Sequence, residues 1–344
     1  MITRAARRIV WLCFTLMIML CLSWSDSPNP PIKFSLKGPA QGTTFLITYY
    51  AEKEIFPIDS VNLILQGVDS SVSQYTPNSL ISRFNRDARG IKIDQHLKTL
   101  LLSALHFSDL TNGAFDITIK PISVLWGFNA VQPSTVPAKR TIRSTLSLVG
   151  SNHLILANDS LFKSDPGVMI DLDGIAQGYT VDLLSNFLIE KGVKHFIVEL
   201  GGEIRTSGSK PDGSLWSVGI EGPMDNAQQG AIIDRELTIS GKAVTTSGSY
   251  RKFIKIGDRY FSHIINPKTG YPSNNGLISV TVIADDAITA DALDNSFMVM
   301  GLKNTFRLLH TMPDIGVYMV YKKANGSIAD TSNSVFKNYI NSTY

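Results

Sequence analysis

A long apolar stretch near the C-terminus, residues 287 to 300, carries two acidic side chains in its middle. At helical spacing its alanine, isoleucine, leucine, phenylalanine, methionine and valine side chains cover most of the helix circumference, and Gly301 marks its end. A helix that is apolar on most sides must be buried, which limits the chain to folds that enclose it. Its carboxylates then need partners, because a buried charge without one is costly.

The two acidic residues belong to the motif ADALDN, residues 290 to 295. On a helix, Asp291, Asp294 and Asn295 lie at positions i, i+3 and i+4 and therefore share one face. Three side-chain oxygens with room for water and a ligand suit Mg²⁺, which keeps several waters and often reaches a substrate phosphate. The alternative is the first turn of a helix, where Asp and Asn satisfy free amides and the macrodipole.

The first 25 residues have the layout of a secretory signal, with three arginines, an apolar stretch over 9–22 and then small polar residues. Cys21 is an alternative site of lipidation, although Leu20 before it is larger than the residue usual at such a cleavage site. We therefore expect a signal peptide or a membrane or lipid anchor over 1–25. The protein is then exported, to the periplasm or the outer face of the cytoplasmic membrane. Residues 26–35 are rich in proline and are expected to form a linker.

Composition excludes several function classes. Both cysteines, Cys13 and Cys21, lie in the N-terminal segment, so the rest of the chain has no thiol for catalysis, metal binding or a disulfide. The formal charge of +3 comes from 32 basic and 29 acidic residues, and the N-terminal segment holds three of the arginines, so the body is close to neutral and lacks a nucleic-acid footprint. A hydrophobic content of 44% allows a large core, and we expect one domain over 36–340.

Hydrophobic spacing predicts helices and strands in mixed order. Strands are predicted over 43–50 and 195–200, and helices over 61–72, 96–110 and 175–191, with a further short helix within 131–147. Residues 73–85 are rich in turn formers, and residues 113–127 contain a short alternating run. The order favours an α+β fold, with mixed or antiparallel sheets and flanking helices, over a regular βαβ winding. There is no GxGxxG motif, P-loop or internal repeat.

The segment DLDGIAQGYTVD, residues 171 to 182, predicts a second source of ligand oxygens. It places two aspartates at the start of a helix and follows them with Gly174, whose backbone carbonyl is approachable and can ligate a hard cation. The alternative is ordinary N-capping by Asp173, with Gly178 as a packing glycine. Asp182, further along, is expected to be exposed or to belong to a capping network.

Three other segments carry weaker signals. SHIINPKTGYP, residues 262 to 272, ends a strand in a tight turn, so His263 suits a general base or a phosphate contact, or else a histidine that orients the loop. TTSGSYRK, residues 245 to 252, offers an anion cradle or a hairpin end. Tyr75 and GAFD, residues 113 to 116, offer a flat apolar surface for a ring system or part of the core.

The order of these segments is more specific than any one of them. AQGTTF, SQYTPNSLISRFN, GAFDITIKPISVLWGF, DLDGIAQGYTVD, ELGGEIRTSGS, AVTTSGSYRK, SHIINPKTGYP and ADALDN together resemble the ApbE family, the FAD:protein FMN transferases. The resemblance spans about residues 36 to 303. It implies an ApbE-like α+β fold with the active site in a cleft between two interlocked lobes.

The resemblance also implies an activity. ApbE-like enzymes bind FAD with Mg²⁺ and move the FMN half onto a threonine or serine hydroxyl of a target protein, forming a phosphoester and releasing AMP. The expected partners are FAD as substrate and an acceptor protein, such as a subunit of a membrane redox complex. Alternatives are a Mg²⁺-dependent FAD pyrophosphatase that gives FMN and AMP, and a non-catalytic exported flavin-binding protein.

Site residues follow from the resemblance, position by position. The family's Mg²⁺ ligands fall on Gly174 (through its carbonyl), Asp291, Asp294 and Asn295. Positions that resemble its flavin-contacting residues are Gln41, Tyr75, Ala114, Phe115, Asp116, Asp171, Gln177, His263 and Ile264. His263 is the first candidate for the base that accepts the hydroxyl proton, and Asp171 is the second. Gly201 and Gly202 are expected to let the backbone approach the ligand.

Three positions depart from the family pattern. Asn295 stands where a threonine is usual, so an amide oxygen replaces a hydroxyl. Gln177 replaces the usual lysine, so a positive charge near the phosphates is missing and hydrogen bonding must substitute for it. Gln41 replaces the usual methionine. The acidic pair is retained, and with it the expected activity.

Overall fold

The computed structural model describes Trp11 and residues 30–128, 131–221, 233–250 and 252–340. The predicted signal or anchor falls outside these ranges, apart from Trp11, and so do Cys13 and Cys21. Over the described part of the chain, no helix combines the length and the apolar character that crossing a bilayer requires.

The strands and helices of the described residues have the following bounds. The strands are β1 (Ile32–Ala40), β2 (Thr43–Ala51), β3 (Gly90–Lys92), β4 (Leu154–Ala157), β5 (Ser160–Lys163), β6 (Phe196–Leu200), β7 (Glu203–Ser207), β8 (Trp216–Glu221), β9 (Ile233–Ile239), β10 (Ala243–Gly248), β11 (Phe253–Ile256), β12 (Arg259–Ser262), β13 (Ile265–Asn266), β14 (Tyr271–Pro272), β15 (Leu277–Ala284), β16 (Gly316–Lys322) and β17 (Ile328–Ser332). The helices are α1 (Ile58–Val72), α2 (Leu80–Arg86), α3 (Gln95–Leu110), α4 (Lys120–Trp126), α5 (Lys139–Leu146), α6 (Ala176–Glu190), α7 (Ala287–Leu309) and α8 (Ser334–Lys337).

One eight-stranded sheet organises the protein. Its strand order is β1-β2-β6-β7-β10-β15-β16-β17, and every neighbouring pair is antiparallel. β1 starts at Ile32, because it pairs with the whole of β2 from Ile32 opposite Ala51 to Ala40 opposite Thr43. Residues 32–35, which the proline-rich composition assigned to a linker, are therefore part of this strand.

The two faces of the sheet bury different sets of side chains. Val280 and Val282 of β15 face helices α3 and α7, whereas Ile283, one residue on, packs against the β8–β9 hairpin. This alternation is the two-residue period of a strand that is covered on both sides. The α+β prediction with flanking helices is confirmed, and α7 lies inside the helical layer as its apolar sequence requires.

Two local predictions need correction. Gly301 was expected to end the buried helix, but it takes φ 75° and ψ 165° and breaks the helix direction, after which α7 continues to Leu309. The description of residues 73–85 as turn-rich was incomplete, since α2 begins within them at Leu80. The Ser79 side chain accepts a hydrogen bond from the Ser82 N–H and caps this helix.

A smaller lobe lies beside the sheet and its helices. It comprises α4, α5 and the hairpins β11–β12 and β13–β14, and its core is formed by Ile122, Trp126, Phe128, Ile142, Ile254, Ile256 and Ile265. The Trp126 ring N–H donates to the Gly270 carbonyl at 2.8 Å, which ties α4 to the turn before β14. The short alternating run within 113–127 does not form a strand. The structure has a short 3₁₀ turn there, Ile117–Ile119, that leads into α4.

Candidate active site

A cavity of about 410 Å³ opens between the sheet-and-helix body and the smaller lobe. This size falls within the range of small-molecule sites. Eight of the nine predicted flavin contacts line it: Gln41, Ala114, Phe115, Asp116, Asp171, Gln177, His263 and Ile264. All four predicted metal ligands line it as well: Gly174, Asp291, Asp294 and Asn295. The fold therefore brings together residues that are up to 254 positions apart, from Gln41 to Asn295.

Tyr75 is the predicted contact that does not line the cavity. Its side chain is 67% exposed. Partial burial, followed by the carboxylates of Asp173 and Asp171, raises the pKa of its hydroxyl. The side chain of the preceding residue, Gln74, points inward instead and donates hydrogen bonds to Asp171 and Asp173.

The acidic pair lies on α7, away from the start of the helix. Asp286 caps α7 by accepting from the Thr289 N–H at 2.9 Å. Asp182, which is buried, accepts from the N–H groups of Ala287 and Ile288 at 2.9 and 2.8 Å. Asp291 and Asp294 are thus not needed as caps, and the helix-start alternative for ADALDN is wrong.

Asp182 itself belongs to a capping network, as predicted, but it is not exposed. Arg205 donates to its carboxylate at 2.8 Å, in an ion pair that spans α6 and β7. Burial raises the pKa of Asp182, while its two N–H donors and Arg205 act in the opposite direction.

Gly178 positions Asp291. Its N–H donates to Asp291 Oδ2 at 2.9 Å, which fixes the carboxylate against α6. A Cβ atom at position 178 would overlap the Ala287 carbonyl oxygen and lie 2.8 Å from the Asp291 Cβ. Gly178 is therefore a packing glycine, and the close approach of α6 and α7 that it permits places Asp291 at the cavity floor.

Four oxygens converge on the amide nitrogen of Asn295. Asn295 Nδ2 lies 2.9 Å from Asp294 Oδ1, 3.1 Å from Asp291 Oδ1, 3.0 Å from the Asp291 carbonyl and 3.5 Å from the Gly174 carbonyl. The Ser247 hydroxyl donates to the amide oxygen at 3.3 Å. An amide NH₂ has two hydrogens, so it cannot satisfy four acceptors. Some of these oxygens therefore remain able to accept, and a cation can bind to them.

The electrostatics of this cluster also favour a cation. Asp291 and Asp294 are 3% and 1% exposed. Burial raises the pKa of both carboxyls well above the ordinary value, and the charges of Glu203 on Asp291 and of Asp291 on Asp294 raise it further. Among the ion pairs of the described residues, none involves either aspartate. Ionising both without a counter-charge is costly.

The donor set is a mixed one. No group of three or more His, Cys, Asp or Glu side chains in the described part of the chain is arranged to hold a metal ion. The cluster instead combines two carboxylates, a backbone carbonyl and an amide, which are hard oxygen donors of the kind Mg²⁺ takes together with water. These residues fit a hard divalent cation.

A second polar cluster lies at the wall of the cavity. Gln74 Nε2 donates to Asp171 Oδ1 at 2.5 Å and to Asp173 Oδ1 at 2.7 Å, and Lys120 Nζ donates to the side-chain amide oxygen of Gln74. Lys120 also pairs with Asp171 at 3.4 Å, and both side chains are nearly buried. Sequence reasoning missed Gln74 and Lys120, although a lysine within the apolar run ITIKPISVLW was a visible signal.

Asp173 does not cap α6. The residue before α6 is Ile175, which makes no side-chain capping bond, so the capping alternative is wrong. Desolvation inside the cleft, and then the neighbouring Asp171 carboxylate, raise the pKa of Asp173 to about 6, although its side chain remains accessible to water.

His263 is fixed at the cavity by a hydrogen bond to the backbone. Its Nδ1 lies 3.0 Å from the Lys252 carbonyl oxygen. Because a carbonyl only accepts, Nδ1 must carry the hydrogen, and Nε2 is then the nitrogen of the neutral ring that can take up a proton. The ring also lies edge-on to Phe128, with centroids 6.5 Å apart. His263 is thus held by a backbone carbonyl and lines the cavity.

Gly201, the first residue of the glycine pair, lies close to side chains that line the cavity. Gly201 takes φ +67°, and a Cβ there would lie 2.7 Å from Gln177 Nε2 and 2.9 Å from Thr43 Cγ2. A side chain would be strained by the backbone and would also collide with cavity residues. Glu203, two residues on, lines the cavity and was missed by sequence reasoning.

Solved structures share this architecture. The flavin transferase ApbE from Vibrio cholerae superposes with a TM-score of 0.79 at 33% identity, covering 90% of this chain and 100% of that chain. The apo form of the Pseudomonas stutzeri flavinyl transferase ApbE gives 0.80 at 30% identity, covering 90% and 97%. The fold and the cavity between two lobes therefore define the ApbE class of α+β proteins.

Sequence comparison agrees. The profile of the ApbE family matches residues 41–319, and the chain belongs to that family. It is 32% identical over 334 residues to the FAD:protein FMN transferase of Vibrio cholerae serotype O1, covering 95% of each. It is 32% identical over 277 residues to the protein of that name from Escherichia coli strain K12, covering 78% of this chain and 77% of the relative.

Proposed function

We propose that this protein is a Mg²⁺-dependent enzyme that transfers the FMN half of FAD onto a threonine or serine hydroxyl of an acceptor protein and releases AMP. The relatives named FAD:protein FMN transferase support the reaction class. The observation that carries the proposal for this chain is the buried oxygen cluster on the cavity floor, where four acceptors share one amide group.

The cation would be held by the Gly174 carbonyl and by the side chains of Asp291, Asp294 and Asn295. Bound there, Mg²⁺ supplies charge neutralisation at the pyrophosphate of FAD. The protein contributes a prepared site, because the Gly178 N–H already fixes one oxygen of Asp291. The Ser247 hydroxyl donates to the Asn295 amide oxygen, so this oxygen would have to turn from Ser247 toward the cation to act as a ligand.

The remaining chemistry is positioning and proton transfer, as in phosphoryl transfer generally. The acceptor hydroxyl oxygen forms a bond to the FMN phosphorus, and the bond from that phosphorus to the bridging oxygen breaks, so AMP leaves with the electron pair. The hydroxyl proton goes to a base. His263 through Nε2 is the first candidate, since its Nδ1 is engaged with the Lys252 carbonyl. Asp171, held by Gln74 and Lys120, is the second.

The location of the reaction follows from the N-terminal segment. We propose export through the signal or anchor over residues 1–25, to the periplasm or the outer face of the cytoplasmic membrane. The acceptor is then a protein that exposes its hydroxyl on that side, such as a subunit of a membrane redox complex. Its modified segment would resemble Ser/Thr-Gly-Ala-Thr.

The test measures the mass of the acceptor protein together with the amounts of FMN and AMP that are formed. The chain is incubated with FAD, Mg²⁺ and an acceptor domain that carries such a segment, and the acceptor, FMN and AMP are quantified. The expected result is an acceptor that gains one FMN, with an equal amount of AMP, and no gain when the acceptor hydroxyl residue is replaced by alanine. Free FMN and AMP without the gain would instead identify a pyrophosphatase, and intact FAD on the protein would identify a carrier.

A further inference from the structure

A nearly buried lysine links the two lobes at the wall of the cavity. Lys120 is the first residue of α4 in the smaller lobe, and its side chain is 12% exposed. Its Nζ donates to the side-chain oxygen of Gln74 and lies 3.4 Å from Asp171 Oδ2. Gln74 follows α1 and Asp171 precedes α6, so both partners belong to the sheet-and-helix body. Lys120 thus contacts a cavity residue, Asp171, without lining the cavity itself.

The lysine also determines the orientation of the Gln74 amide. An ammonium group only donates, so the amide oxygen must face Lys120 and the amide nitrogen must face the other way. The two hydrogens of Nε2 are then directed at Asp171 Oδ1 and Asp173 Oδ1, at 2.5 and 2.7 Å. Lys120 therefore holds Asp171 twice, directly and through Gln74, and it holds Asp173 through the same amide.

The cavity has an excess of acidic groups that this lysine reduces. Among the described residues that line it, one is a lysine, Lys252, and six carry carboxyl groups: Asp116, Asp171, Asp173, Glu203, Asp291 and Asp294. Of the five aspartates, only Asp171 forms an ion pair with a described residue, and that residue is Lys120. The proposed cation would offset Asp291 and Asp294 on the floor, but it is not bound by the two aspartates of the wall.

A ligand with phosphate groups is an anion, and uncompensated carboxylates in a partly buried wall would repel it. Asp173 directly precedes Gly174, whose carbonyl belongs to the proposed cation cluster. The charge of the wall therefore acts close to the place where the phosphates would meet the cation.

We propose that Lys120 is a positioning residue for an anionic nucleotide: with Gln74 it holds the two wall aspartates in place and offsets their negative charge, which favours binding of a ligand with phosphate groups. The identity of that ligand as FAD rests on the proposed function. Lys120 is not needed to place the backbone of Asp171, because the Asp171 N–H donates to the Ile117 carbonyl at 2.7 Å.

The first test is Lys120→Met, which keeps a long unbranched side chain and removes the charge. Calorimetric titration at pH 8 in the presence of Mg²⁺ should show a dissociation constant for FAD about tenfold above that of the unchanged protein. Lys98→Met is the matched control. Lys98 also pairs with an aspartate, Asp159 at 3.0 Å, but on the surface of the protein, so its removal should leave the affinity for FAD unchanged.

A second substitution separates this role from a merely structural link between the lobes. Adding Asp173→Asn to Lys120→Met returns the wall to its original formal charge, since pH 8 is well above the pKa of about 6 of Asp173. The double variant should bind FAD within about threefold of the unchanged protein. A lysine that only joined the lobes would leave the double variant as weak as Lys120→Met.

Gln74→Met tests the same network without removing a charge, and it replaces the first variant if Lys120→Met does not fold. We expect FAD binding to weaken by about two- to threefold, because the wall aspartates lose their shared donor. FAD binding as tight as that of the unchanged protein in folded Lys120→Met, or in Gln74→Met if the first variant does not fold, would make the inference wrong. So would a double variant that is not restored. Failure of the unchanged protein to bind FAD at all would instead overturn the proposed function.

Discussion

Asn295 is the residue at which this chain departs most consequentially from its family pattern. Its amide hydrogens point at the oxygens of Asp291, Asp294 and Gly174, where a cation would also bind. For Asn295 to act as a ligand, the amide must turn and present its oxygen. We therefore expect the present arrangement to stabilise the metal-free site at some expense to cation affinity.

Asn295→Thr tests this competition. A threonine removes the NH₂ group from the cluster and offers a hydroxyl oxygen, so we expect affinity for Mg²⁺ to rise and FMN transfer to be kept or increased. Calorimetric titration of Mg²⁺ and the rate of acceptor modification measure both. Asn304→Thr is the control, since Asn304 lies on the exposed side of α7 and donates to the Met300 carbonyl. Weaker Mg²⁺ binding in Asn295→Thr alone would contradict the account.

At the scale of elements, the contact between α6 and α7 builds the site. The N–H of Gly178 reaches Asp291 only because the two helices meet at a residue without a side chain. Asp182 strengthens the same contact from α6 by capping the first turn of α7. The helix pair therefore serves both stability and the placement of the acidic cluster.

Gly178→Ala should separate the two helices. The new methyl group would overlap a backbone carbonyl, which cannot move as a side chain can, so we expect a loss of about 1–3 kcal/mol in the free energy of unfolding. Mg²⁺ affinity should fall as well, because the bond to Asp291 is stretched. Gly67→Ala in α1 is the matched control. A Cβ there meets only His96 Nε2, at an ordinary 3.5 Å, so denaturant unfolding should show no loss of stability.

At the scale of the whole molecule, the buried acids couple stability to pH. The pKa of Asp291 and of Asp294 is raised in the folded state, mainly by burial. Between the ordinary aspartate value of 3.8 and the raised values, the folded protein holds protons that the unfolded chain has released. The contribution of these groups to stability is therefore full at low pH and is lost as pH rises through that window.

Melting curves of the metal-free protein at pH 5.5 and 7.5 test this coupling. We expect a higher melting temperature at pH 5.5 from these two groups, and a larger stabilisation by Mg²⁺ at pH 7.5, where fewer protons compete for the carboxylates. The variant with both Asp291→Asn and Asp294→Asn isolates their part, because it should lose both effects. An Mg²⁺ stabilisation that is larger at pH 5.5 would contradict the proposed ligands.

The hydrophobic pattern of neighbouring residues predicted much of this structure. The contacts that it did not predict have a physical reason. The helix over 96–110 and the strand over 43–50 were predicted to within a residue, since hydrophobic period determines both. The contact of Gln74 with Asp171 was not, because it joins residues 97 positions apart and depends on which of two neighbours, Gln74 or Tyr75, turns inward. The hydrophobic periodicity of the sequence does not predict which way a side chain points in an irregular loop.

We propose that the cluster on α7 holds the cation that FMN transfer requires. The most direct test is the mass of the acceptor protein after incubation with FAD over a range of Mg²⁺ concentrations, for the unchanged protein and for Asp291→Ala. We predict a gain of one FMN that saturates with Mg²⁺ and disappears on chelation in the unchanged protein, and no gain at any Mg²⁺ concentration in folded Asp291→Ala. Undiminished transfer by Asp291→Ala, or transfer by the unchanged protein without a divalent cation, would contradict the account.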